Sequence, residues 1–150
     1  MMKTLLAAAV TLMAAAPAMA QDASQSPAFG SVTLSAGFDD DPLQRRFRGG
    51  GPNNAARLPG ACTGNVGTPP DFRVTYTAGS APLIFRSVST VDTTLVINGP
   101  DGRWYCDDDS FGDLDAEYRF NRPQSGVYDI WIGVVGRSEA DATLVVTERP

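Results

Sequence analysis

The chain has no histidine among its 150 residues, and that absence removes several chemistries at once. A Ser-His-Asp or Cys-His nucleophilic site cannot be assembled, nor can a zinc site built on imidazole. Lysine is nearly missing too. Its sole copy is Lys3, every other basic residue is arginine, and the formal net charge is −5. A phosphate backbone is bound through clustered cations, so no nucleic-acid partner is expected. Cysteine is limited to Cys62 and Cys106, without the Cys-x-x-Cys spacing of a redox pair. No apolar run reaches spanning length, so no membrane span is expected. No stretch keeps apolar residues at i, i+3, i+4 and i+7 over a useful length, which excludes a long amphipathic helix. There is no internal repeat of fixed period.

What is present begins with a leader. Lys3 gives a short basic start, an apolar run follows from Leu5 to Ala16, and Ala18-Met19-Ala20 supplies a small-x-small cleavage site. This pattern predicts a signal peptide over residues 1–20, a mature chain from Gln21, and a periplasmic or secreted protein. No cysteine follows the site, so no lipid anchor is expected. Residues 21–29 are small and polar and read as a flexible lead-in. Residues 30–150 suffice for a single domain with a core. In an exported protein the two cysteines pair by default. A Cys62–Cys106 bridge would close a loop of about 45 residues and contribute about 4 kcal/mol by the chain-entropy estimate.

The body of the chain reads as β throughout. SVTLS, FRVTYT, LIFRSV, TTLVI, RWYC, EYRF, VYDIWIGV and ATLVVTE are short, β-branched or aromatic stretches separated by Gly, Pro, Asn and Asp. Asn98-Gly99-Pro100-Asp101-Gly102 suits a hairpin, and Arg122-Pro123-Gln124-Ser125-Gly126 is expected to make a second one. Gly49 to Pro70 is rich in Gly, Pro and Asn and reads as a long loop tied down at Cys62. Arg45-Arg46-Phe47-Arg48 is the one basic patch, and it reads as a solvated strand edge or as a local partner for Asp39-Asp40-Asp41. Alternation sends Ile130 and Ile132 away from Trp131, so VYDIWIGV is expected to be a central strand with Trp131 in a core. About eight strands of this kind predict an all-β sandwich of jelly-roll type, in which two sheets bury each other's apolar faces.

One stretch concentrates charge. Asp107, Asp108, Asp109, Asp113 and Asp115 lie in CDDDSFGDLD, between RWYC and EYRF. Five carboxylates in so short a loop repel one another unless something neutralises them. Calcium takes six to eight oxygen ligands in a loose shell and is the cation such a loop suits. The spacing is not that of an EF-hand, because Tyr118 stands where the twelfth-place glutamate would. Arg103 and Arg119, on the flanking strands, are the alternative neutralisers, and a solvated acidic turn is the plain one. Val91-Asp92-Thr93-Thr94 departs from the Asp-Thr-Gly of aspartic proteases at Thr94, and no second copy occurs.

Three segments together carry a family resemblance. Asp92 to Gly102 is an Asp-led apolar strand ending in a Pro-Asp-Gly turn, Cys106 to Ser110 opens the Asp-rich loop, and Pro123 to Gly133 holds a Gly-x-Tyr strand. This pattern resembles the bacterial pre-peptidase C-terminal domain, and most closely its small secreted alphaproteobacterial stand-alone members, from about Val32 to Glu148. The resemblance implies a β-sandwich accessory module, often attached to secreted proteases and sometimes calcium-binding. This chain is expected to depart from the pattern by standing alone, with no catalytic domain attached. The expectation is a non-enzymatic, monomeric binding module that takes an unknown protein or glycan of the envelope or the exterior. The competing expectation is an acid-dependent hydrolase, peptidase or glycosidase, that works through the aspartate loop.

Overall fold

Short β-branched stretches broken by turn residues fold here into two stacked sheets. The computed structural model describes residues 21–150, and the leader expected over residues 1–20 lies outside the described residues. The strands are β1 (Ser31–Ser35), β2 (Leu43–Gly50), β3 (Asn53–Asn54), β4 (Asn65–Val66), β5 (Phe72–Thr77), β6 (Leu83–Val88), β7 (Thr93–Asn98), β8 (Trp104–Asp107), β9 (Ala116–Phe120), β10 (Gly126–Val134) and β11 (Glu139–Thr147). The one helical element among the described residues is a 3-10 turn at Ala55–Arg57, capped by the Asn54 side chain accepting the Ala56 N–H.

One sheet has the order β2-β11-β6-β9, and the main body of the other runs β5-β10-β7-β8, antiparallel at every pairing. In chain order these strands interleave first-eighth-third-sixth against second-seventh-fourth-fifth. That is the jelly-roll order. β1 lies outside it, added to β5 as a parallel edge strand, and the β3–β4 pair extends the same sheet from the far end of β10.

Alternation decides which side chains meet between the sheets. Leu83, Phe85, Leu95, Ile97, Ile130, Ile132, Leu144 and Val146 are fully buried in the main core. Tyr128 joins them and closes its own turn. Its hydroxyl accepts the Gln124 N–H at 3.0 Å and donates to the Gln124 carbonyl at 2.8 Å. Gly126 sits between at φ 142°, where a Cβ would meet Pro100 Cβ at 2.7 Å. The Gly-x-Tyr spacing therefore has a local physical reason in this chain.

A second core lies on the outer side of the same sheet. Trp131 points there and packs with Val96, Ala55, Leu58, Val66 and Cys62, while Trp104 stacks obliquely on it at 5.3 Å. The cover comes from the segment between β2 and β4, held by the Cys62–Cys106 disulfide with Cα atoms 5.1 Å apart. The structure corrects the long-loop expectation for Gly49 to Pro70. Gly49 and Gly50 finish β2, and β3, the 3-10 turn and β4 follow before Pro70. Asn-rich composition concealed the buried Ala55, Leu58 and Val66 that anchor it.

Two further expectations need correction. The turn before β10 is not a hairpin, since β9 pairs with β6 in one sheet and β10 with β5 and β7 in the other. The lead-in is held down: Asp22 N–H donates to Thr68 O, Ala28 N–H to Pro70 O and Phe29 N–H to Asp71 O. Of the two readings of the basic patch the structure has the solvated strand edge, not the pairing with Asp39-Asp40-Asp41. The patch belongs to β2, where Arg48 reaches Glu139 at 2.9 Å and Asp141 at 3.8 Å, while Asp41 is met by Arg149 at 3.3 Å.

Candidate functional site

The acidic loop connects β8, at the edge of the β5-β10-β7-β8 sheet, to β9, at the edge of the β2-β11-β6-β9 sheet. Its two ends work as staples. The Asp107 carboxylate accepts the N–H groups of Ser110 at 3.1 Å and Glu117 at 3.0 Å, and also the Ser110 hydroxyl. The Asp115 carboxylate accepts the Ser89 N–H at 2.9 Å. Leu114 O receives the Thr93 N–H and Asp115 O the Phe111 N–H, which fixes the loop's return path. Short Asp side chains favour such local bonding to backbone in turns, which explains why Asp stands at both ends.

Between the staples, Asp108, Asp109 and Asp113 are exposed. The Asp109 carboxyl is held above its ordinary value, by partial desolvation first and then by repulsion from Asp108, Asp92, Asp107 and Asp113. Asp92 is a participant that sequence spacing alone did not include; the turn before β7 delivers it. The five predicted acids thus divide into two structural acceptors and three outward carboxylates. Among the described residues, no group of three or more His, Cys, Asp or Glu side chains is arranged to hold a metal ion. The expected arginine partners go elsewhere. Arg103 lies 3.7 Å from Asp101, and Arg119 donates to Asn121.

The arginine that does reach the loop is Arg86 of β6. Its guanidinium pairs with Glu117 at 2.5 Å and lies 4.6 Å from the Phe111 ring centre, so the loop tip leans over the sheet. Cross-strand register sets the rest of this outer face. One row runs Gln44, Val145, Arg86, Glu117, and the next runs Arg46, Thr143, Val88. Two shallow depressions meet at Val88. The first, about 320 Å³, is bounded by Pro42, Gln44, Val145, Phe111 and Arg149, and the second, about 410 Å³, by Arg46, Ser89, Thr90, Asp141 and Thr143. Val88 and Phe111 are exposed within them, at 37% and 42%. An apolar strip edged by guanidinium groups is chemically suited to a ligand with both an apolar face and carboxylates or hydroxyls.

Other perturbed groups are structural. Burial raises the Asp71 carboxyl to about 7, against a smaller opposing effect from the Ile132 N–H it accepts at 2.7 Å. Burial also raises the Asp129 carboxyl, with Arg73 at 2.6 Å pulling it back. Tyr105 is pushed up to about 12, chiefly by its hydrogen bond to Asp101 at 2.7 Å. The sequence placed Arg46 in the basic patch and Val88 in a strand. It gave no sign that chain register would set them side by side with Phe111. No protein-family model matches the chain, and no curated protein matches it.

Proposed function

We propose that this chain is an exported, non-enzymatic β-sandwich binding module, of the kind the pre-peptidase C-terminal resemblance implies. Its partner, a protein or glycan of the envelope or exterior, lies on the outer face of the β2-β11-β6-β9 sheet. The observation that carries the proposal is the strip of Val88, Val145 and Phe111 flanked by Arg46, Arg86 and Arg149, on a chain whose net charge is −5. Arg86 is paired with Glu117 and Arg149 with Asp41, so Arg46 is the guanidinium on this strip that a partner's carboxylate would meet. Calcium enters this proposal only at the outward acids Asp108, Asp109 and Asp113 with Asp92, because Asp107 and Asp115 already accept backbone N–H groups. No step of binding is routed through it.

The hydrolase alternative needs a carboxyl poised near neutrality at an accessible place. Asp71 has the raised value, but it is 4% exposed and bonded to a backbone N–H. The test is capture of partners from envelope extract by the mature protein, with and without calcium, beside an Arg46→Glu, Val88→Asp variant. Loss of the captured partner in the folded variant supports the sheet face. Equal capture by both proteins overturns it.

A further inference from the structure

The first described residues are held by a dense set of hydrogen bonds. The Asp22 carboxylate accepts the Ser24 N–H at 2.9 Å, the Ser24 hydroxyl at 2.6 Å and the Gln25 amide at 3.1 Å. The Arg73 guanidinium donates to the carbonyls of Ala23 at 2.7 Å and Gln25 at 3.1 Å. Ala23 packs against the outer core around Trp131. One residue earlier, Gln21 is 3% exposed, and neither its side-chain oxygen nor its nitrogen has a hydrogen-bond partner. A buried primary amide has two N–H donors and an acceptor to satisfy, and leaving them unpaired costs free energy.

Gln21 is also the residue that cleavage after Ala20 would place at the amino terminus. We infer that Gln21 is a modification site, converted to pyroglutamate in the mature chain; this rests on the export reading above. The free α-amine attacks the side-chain carbonyl carbon Cδ, a new N–Cδ bond closes a five-membered lactam, and the Cδ–Nε2 bond breaks. Ammonia departs with the proton given up by the α-amine, so no oxidant or reductant is needed. The product loses the terminal ammonium charge and the side-chain NH₂, keeping one N–H and one carbonyl. Both lost groups belong to a residue that the fold buries, where an unpaired charge or donor is unfavourable. The folded state therefore favours the lactam over the open form.

The test is export of the full chain from a bacterial host, followed by intact mass and terminal sequencing. The expected product starts at residue 21, weighs about 17 Da less than its sequence, and lacks a free α-amine. Pyroglutamyl aminopeptidase should cleave the peptide bond to Asp22 and release the pyroglutamyl residue only after unfolding, because the lactam is buried. A chain starting at Gln21 with a free amine overturns the cyclisation and leaves the export reading standing. A retained leader, or a start elsewhere, overturns both. Equal aminopeptidase rates on native and unfolded protein overturn the buried lactam.

Discussion

The Asp71 carboxylate accepts the Ile132 N–H at 2.7 Å in the gap where β5 has stopped pairing with β10 and β4 has yet to begin. A side chain here completes a ladder that the backbone leaves open. Burial raises this carboxyl to about 7 from an ordinary 3.8. Between those values the folded chain holds a proton that the unfolded chain has released, so this group's contribution to stability falls as pH rises from about 4 to about 7. Asp71→Asn keeps an acceptor and should flatten that slope in denaturation measured across the window. Asp71→Ala should cost about 1–3 kcal/mol by stranding the Ile132 N–H. An unchanged slope in the Asn variant would exclude this role.

Trp131 should behave as the centre of the outer core. Trp131→Ala should cost about 3–5 kcal/mol, as expected for deleting a buried aromatic. Trp131→Phe should cost clearly less, because the indole N–H it removes is buried without a partner. Equal losses in the two variants, by chemical denaturation, would contradict the packing described.

Trp131 also marks how far the sequence could be followed. Alternation in VYDIWIGV was enough to send Trp131 and Ile130 to opposite faces, and both are buried there. The expectation of an oxidising compartment is enough to pair Cys62 with Cys106, and the structure has that bridge. Strand membership was harder. β2 is an edge strand of LQRRFRGG, whose three arginines resemble a solvated patch, while SVTLS alternates well yet forms only the added parallel edge β1. Local pattern reports whether a strand forms, and long-range pairing decides which strands build the jelly roll. The same limit hid the outer-face groove, whose rows are set by register between strands far apart in the chain.

The disulfide holds the cover over Trp131, so its loss has a local as well as a global sign. Replacing Cys62 and Cys106 together with Ala should lower stability by about 4 kcal/mol through the freed loop entropy. Under conditions where the variant remains folded, Trp131 and Trp104 should become more open to acrylamide quenching. Unchanged quenching would mean that Ala55, Leu58 and Val66 hold the cover without the bridge.

Tyr128→Phe removes the hydroxyl that serves both the N–H and the carbonyl of Gln124. Its ring packing against Phe85 and Phe120 is retained. The expected loss is about 0.5–1.5 kcal/mol, the net worth of a hydrogen bond of this kind. Gly126→Ala should cost more, since it adds an atom against Pro100 at a φ that L residues rarely adopt. Reversal of that order in thermal melts would place the strain elsewhere.

The acidic loop gives the sharpest test because neighbouring aspartates should respond with opposite signs. Asp107→Ala removes the acceptor for the Ser110 and Glu117 N–H groups that join β8 to β9. It should lower the melting temperature with or without calcium. Asp109→Asn removes a charge that Asp92, Asp107, Asp108 and Asp113 all repel. It should raise the melting temperature at low salt, and the gain should shrink as salt screens the repulsion. Millimolar calcium bound by the outward carboxylates should raise the melting temperature of the unmodified chain, because a ligand bound only by the folded state stabilises it. The same calcium should move the Asp109→Asn variant less. Equal responses from the two variants would overturn the staple role of Asp107, and no calcium shift in the unmodified chain would leave the loop as a pair of backbone staples carrying unneutralised charge between them.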